Sequence, residues 1–217
     1  MEQPPPTAPA RALTAFQSFA GTAAIAVGIG GLVYAILFAY IVAGAPRWIH
    51  ELWFLSLMLG AAMSTLVIVA VYLLLRSADE GFALWALLLG LAGTLGGILH
   101  GASNLLRILR PPNGFALTFD IVVTLDPFGV LRYGMAGMSL LVVAFLVLRG
   151  GRFPNGLGYL AYVGGALLVF IFFGRLGDFI TPDNRVSLIP PLLFGFVVYP
   201  AFYVWLGLEL RRGPRGS

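Results

Sequence analysis

His100, Ser103, Asn104 and Arg107 are spaced i, i+3, i+4 and i+7, which places their side chains on one face of a helix. An imidazole, a hydroxyl, a carboxamide and a guanidinium so arranged can hold a polar or anionic group. Further charges fall near the same end of the chain's apolar segments. Arg132 follows Asp126 by six residues, Arg175-x2-Asp178 closes another apolar run with opposite charges, and Asp120 lies in a short apolar stretch within reach of Arg107, Arg110 or Arg132. The candidate ligand site is therefore His100, Ser103, Asn104, Arg107, Asp120, Arg132, Arg175 and Asp178, an outward-facing polar pocket centred on His100, Asn104 and Arg107. Arg47, Arg110 and Arg185 read singly as headgroup anchors that snorkel to the interface.

The residues that are missing remove whole classes of chemistry. With no cysteine there is no disulfide, thiolate nucleophile or Cys-ligated cluster. All 13 basic residues are arginines, which excludes a lysine Schiff base and a phosphate-loop lysine. His50 and His100 are the two histidines. A dihaem arrangement needs four ligands, and His50 sits in an interfacial setting between Trp48 and Trp53, so b-type haem ligation by this pair is not expected. No HExxH, GxSxG or phosphate-loop pattern occurs. Neither a catalytic residue nor a metal or other cofactor is expected.

The elements that must position these groups follow from composition. The chain has 217 residues, 59% hydrophobic and 10% charged, with mean hydropathy +0.94. So few polar residues cannot cover a water-soluble monomer of this size. Uncharged runs of 18 or more residues, enough to cross the hydrocarbon, lie at about 18–44, 53–75, 82–106, 130–148, 157–174 and 188–208. The expected fold is an all-α polytopic transmembrane bundle of six spans. A signal peptide cleaved after Ala43-Gly44-Ala45 is not expected, because the charge-free run before it is far longer than a signal's apolar region and Pro46 would follow the cut. The apolar run 115–125 is too short to span and reads as an interfacial or re-entrant piece. Residues 1–15, with Pro4, Pro5, Pro6 and Pro9, read as a disordered tail, 16–210 as one bundle, and 211–217 as a basic cytoplasmic tail.

Within the third span, Gly93-x3-Gly97-x3-Gly101 forms a small-residue ridge that lets another backbone approach closely. His100 falls roughly 27 Å along that helix from Phe82 at 1.5 Å per residue, near the outer edge of the hydrocarbon. Pro190, Pro191 and Pro200 should kink the last span. Met63-Ser64 with Arg76 echoes Met138-Ser139 with Arg149, and Gly96-Gly97 with Arg107 echoes Gly164-Gly165 with Arg175. Two related helical hairpins would account for this, as would chance in so apolar an alphabet.

Six spans put both tails on one face. That face, with the second and fourth loops, carries Arg11, Arg76, Arg149, Arg152, Arg211, Arg212 and Arg215, against Arg47, Arg107, Arg110, Arg132, Arg175 and Arg185 on the other. Seven basic residues against six set the tails in the cytoplasm. The basic balance points to anionic lipid headgroups and not to nucleic acid.

The run Arg152-Phe153-Pro154-Asn155-Gly156-Leu157-Gly158-Tyr159, with the overall length and hydropathy, is similar to the basic–Pro–Leu–Gly loop of a family of six-span bacterial integral membrane proteins catalogued as a domain of unknown function. The resemblance implies a bundle in the bacterial inner membrane and lends no activity. Two functional readings follow from the residues. One is a non-enzymatic membrane protein, an accessory subunit packed against lipids and other membrane subunits. The other is a small carrier or receptor for a lipid, quinone or anionic solute in the outward-facing pocket.

Overall fold

A computed structural model describes residues 8–109, 126, 128–180 and 185–212. Six helices among them are long and apolar enough to cross a membrane. They are α1 (Ala8–Val42), α2 (Arg47–Leu75), α3 (Glu80–Leu109), α4 (Val130–Gly150), α5 (Asn155–Leu176) and α6 (Val186–Arg212). The fold is an all-α bundle. The run 115–125, including Asp120, lies outside the described residues, as do 1–7 and 213–217.

Two boundaries differ from the sequence expectation for physical reasons. The second span begins at Arg47, not near Trp53, because Arg47 and Glu51 form an i, i+4 ion pair at 3.0 Å in the first turns of α2. The pair lets both charges and His50 be helical. The first helix begins at Ala8, with Pro9 in the first turn, where its missing N–H has no intrahelical partner to lose.

Local chemistry sets the other ends. The Asp79 carboxylate accepts from the Phe82 N–H at 3.1 Å and caps the start of α3. Pro46 and Pro154, both in extended backbone, precede α2 and α5. At the end of α3, the Arg47 guanidinium donates to the Ile108 carbonyl, supplying a partner that the last helical turn lacks. Arg47 is thus a cap on a neighbouring helix as well as a surface charge.

Each helix packs on the next in sequence, and α6 returns to α1, which closes a ring. Glycine sets the closest crossings. At Gly21 and Gly207 the backbones of α1 and α6 touch, and at Gly137 and Gly165 those of α4 and α5. In lipid such crossings depend on packing contact and not on hydrophobic burial, so small residues at the interface are decisive.

The apolar core is concentrated at one end of the ring. Leu75, Leu146, Leu157 and Leu210 are its largest fully buried side chains. They come from the ends of α2, α4 and α6 and the start of α5, where the Arg76 and Arg149 loops lie. At the opposite end the interior is lined by Arg132 and Arg175.

Candidate functional site

The ring encloses a cavity of about 900 Å³ lined by residues of all six helices. Its wall includes Gly30 and Gly60, where an added Cβ would meet nothing within 4 Å. Leu75, Val143, Leu146, Phe202 and Leu206 line its apolar end. At the other end Phe128 and Asp178, both exposed, lie on its rim, so the cavity reaches the surface there.

Two guanidiniums occupy the polar end. Arg132 donates from Nη2 to the Tyr34 hydroxyl at 2.5 Å, and its Cζ lies 5.0 Å from the centre of the Tyr133 ring. Arg175 lies 5.4 Å from the same ring. Tyr133 therefore makes a cation–π contact with both arginines, an interaction worth about 2 kcal/mol when desolvated. Tyr34 in turn stacks on Trp53 at 5.2 Å, and Phe38 stacks on Trp53 at 5.7 Å. The result is an aromatic collar beside two positive charges. Among the described residues neither arginine makes an ion pair within 4.0 Å. The Trp53 indole N–H is buried and has no partner among them.

The sequence builds this corner with a specific turn. Asp126 accepts from the backbone N–H groups of Leu131 at 3.0 Å and Arg132 at 3.3 Å, so its carboxylate caps the start of α4. Gly129 between them has φ +78°, and a Cβ there would meet the Tyr133 ring at 2.3 Å. Residues Val130–Met135 then form a π-helical turn, with the Ala136 N–H bonding the Leu131 carbonyl five residues back. Wide turns of this kind are common at functional sites. This one carries both Arg132 and Tyr133. A second π-helical turn, Phe194–Val198 in α6, precedes Pro200, which cannot donate a helical hydrogen bond.

Of the candidate residues, His100, Arg132, Arg175 and Asp178 line the cavity; Ser103, Asn104 and Arg107 are not among its lining residues. His100 packs beside Phe54, with ring centres 6.1 Å apart. Ser103 and Asn104 donate to the His100 carbonyl of their own helix, at 3.2 Å and 2.8 Å. Such back-bonding satisfies a polar side chain locally. Arg107 is exposed. The centre of positive charge in the cavity is thus the Arg132–Arg175 pair.

The glycine ridge is shared between two neighbours. A Cβ on Gly93 would meet Ala136 of α4 at 2.8 Å, whereas Gly97 faces Ala61 and Gly101 faces Phe54 and Met58 of α2. Four residues advance a 3.6-residue helix by roughly 40° beyond a full turn, so the ridge drifts from one partner to the other.

Tyr34, Trp53 and Tyr133 are site residues that spacing within a single helix did not point to. They come from three different helices, and the one available signal was Tyr133 adjoining Arg132. Ser64, Tyr199 and Tyr203 add a polar group further along the cavity, where the Ser64 hydroxyl donates to the Gly60 carbonyl of its own helix at 2.8 Å. Comparison with protein-family models, curated proteins and solved structures returns no match for this chain.

Proposed function

We propose that this membrane protein is a small carrier or receptor that binds an anionic ligand in the cavity of its helix ring. One observation carries the reading: a cavity of about 900 Å³ holds two guanidiniums with no ion-paired carboxylate among the described residues. A pocket of this volume is in the range that takes lipid- or drug-sized ligands. Paired arginines with their fixed forks of donors are suited to carboxylate and phosphate oxygens. The aromatic collar of Tyr34, Trp53 and Tyr133 holds the arginines in place before any ligand arrives, which lowers the ordering cost of binding. Of the two readings available from sequence, the accessory-subunit role has no structural feature of comparable weight in its favour. The setting we propose is the bacterial inner membrane, with the cavity mouth facing outward and the two tails in the cytoplasm.

The test is thermal stability of the purified protein against a panel of short carboxylates, inorganic phosphate and lipid anions. A stabilising ligand should lose its effect in Arg132→Ala and in Arg175→Ala. It should keep it in Arg107→Ala, since Arg107 is exposed and apart from the cavity wall. Ligand stabilisation that survives both cavity substitutions together would refute the reading. Stoichiometric co-purification of another membrane protein, with no anion dependence, would favour the subunit role instead.

A further inference from the structure

Resting on that anion-binding reading, we infer that the ligand is a single-chain amphiphile, with an anionic head at Arg132 and Arg175 and a hydrocarbon chain running down the bundle axis. The cavity is far longer than a small anion needs. Its wall includes Arg132 at the polar end of α4 and Leu146 near the opposite end of the same helix, about 21 Å away at 1.5 Å per residue. On α2 the lining runs from Trp53 to Leu75, about 33 Å by the same rise. The cavity therefore extends across most of the hydrocarbon thickness.

Its chemistry is divided along that length. Charge lies at the mouth, Ser64, Tyr199 and Tyr203 form a neutral polar belt partway along, and the floor of Leu75, Val143, Leu146 and Leu206 beyond it is apolar. Protein interiors leave few voids larger than a water molecule, and apolar voids do not hold water. The apolar chamber beyond that belt, inside a membrane, is matched by hydrocarbon. The floor is closed by the buried leucines, whereas the rim at Phe128 and Asp178 is exposed. The head consequently stays at the mouth and the tail points inward. Carboxylate and phosphate heads share the required chemistry, an anion with oxygens for two guanidiniums.

The experiment uses the full chain in phosphatidylcholine nanodiscs, titrated separately with radiolabelled oleate, oleoyl-lysophosphatidate and octanoate, with oleyl alcohol as competitor. At least one of the two long-chain anions should bind saturably near one per chain, and the tighter of the two identifies the head. Octanoate should bind at least tenfold more weakly than oleate, and oleyl alcohol should not displace either long-chain anion. Val143→Phe, which fills the apolar chamber, should weaken long-chain binding tenfold or more and leave octanoate unchanged. Leu206→Phe serves the same purpose should Val143→Phe not yield monodisperse protein. If octanoate binds as tightly as oleate, depends on Arg132, and neither chamber variant has an effect, the anion site stands and the amphiphile is overturned. If no anion shows arginine-dependent binding, both readings fall.

Discussion

Arg132 has its backbone held by one carboxylate and its side chain by a phenol, and both attachments bear on the site. Asp126 accepts from the amides of Leu131 and Arg132, and Tyr34 accepts from the guanidinium. Asp126 is therefore a positioning residue whose carboxylate is engaged with backbone N–H groups. Asp126→Ala leaves two backbone donors without that partner, a loss of about 1 kcal/mol for a helix cap of this kind. Its melting temperature should fall modestly, while anion affinity falls severalfold because the π-helical turn no longer fixes Arg132. Asp126→Asn, which retains an acceptor oxygen, should recover most of both. Equal anion affinity in wild type and Asp126→Ala would remove Asp126 from any role in the site. The sequence pointed to His100, Arg132, Arg175 and Asp178, all of which line the cavity. It placed the centre at His100, Asn104 and Arg107, of which only His100 lines the cavity, because a helical wheel gives a face without saying which neighbour that face meets. Side chains that bond their own backbone, as Ser103 and Asn104 do, look the same in sequence as side chains free to bind.

At the level of elements, helix number and approximate limits were legible because apolar runs of membrane length leave little choice. The packing scheme was less so. Gly96 and Gly97 of α3 face α4 and α2 respectively, and Gly164 and Gly165 of α5 make the corresponding contacts with α6 and α4. The sequence echo between these pairs thus coincides with equivalent places in the ring, one glycine toward each neighbouring helix. Periodicity could not supply the two π-helical turns, since an i+5 turn breaks the phase on which a helical wheel depends. The closest crossings give a sharp test. A Cβ on Gly207 would sit 2.6 Å from the Gly21 carbonyl oxygen, a backbone atom that cannot rotate aside. Gly207→Ala must separate α1 from α6 and should cost about 1–3 kcal/mol, the range for overpacking, read as a lower melting temperature in detergent. Gly30→Ala meets nothing within 4 Å and should leave the melting temperature unchanged or slightly raised, since alanine is the better helix former. A melting temperature for Gly207→Ala equal to wild type would place the α1–α6 contact elsewhere.

For the whole molecule, the ring separates two kinds of arginine that a count along the chain treats alike. Arg76, Arg149, Arg152, Arg211 and Arg212 are exposed at the end closed by the leucine core. At the opposite end Arg132 and Arg175 belong to the cavity wall and lie within α4 and α5. The positive-inside rule concerns loop charges, so setting these two aside turns the near balance of the sequence into a clear excess at the leucine-core end. That end should be cytoplasmic, and the cavity mouth should open to the other side. The absence of cysteine makes the orientation directly measurable by single-cysteine labelling with no background. Ala43, between α1 and α2, and Ser77, between α2 and α3, are both exposed and separated by the full length of α2. In intact cells a membrane-impermeant maleimide should label Ala43→Cys and spare Ser77→Cys until the membrane is permeabilised. The reverse pattern would invert the orientation and turn the cavity mouth toward the cytoplasm. Labelling of both from outside would mean that α2 does not cross the membrane. Protection of Ala43→Cys by an added long-chain anion is not expected, because Ala43 is not among the residues that line the cavity. A Phe128→Cys variant on the rim should be shielded by that anion, which links the sidedness of the bundle to the direction from which its ligand enters.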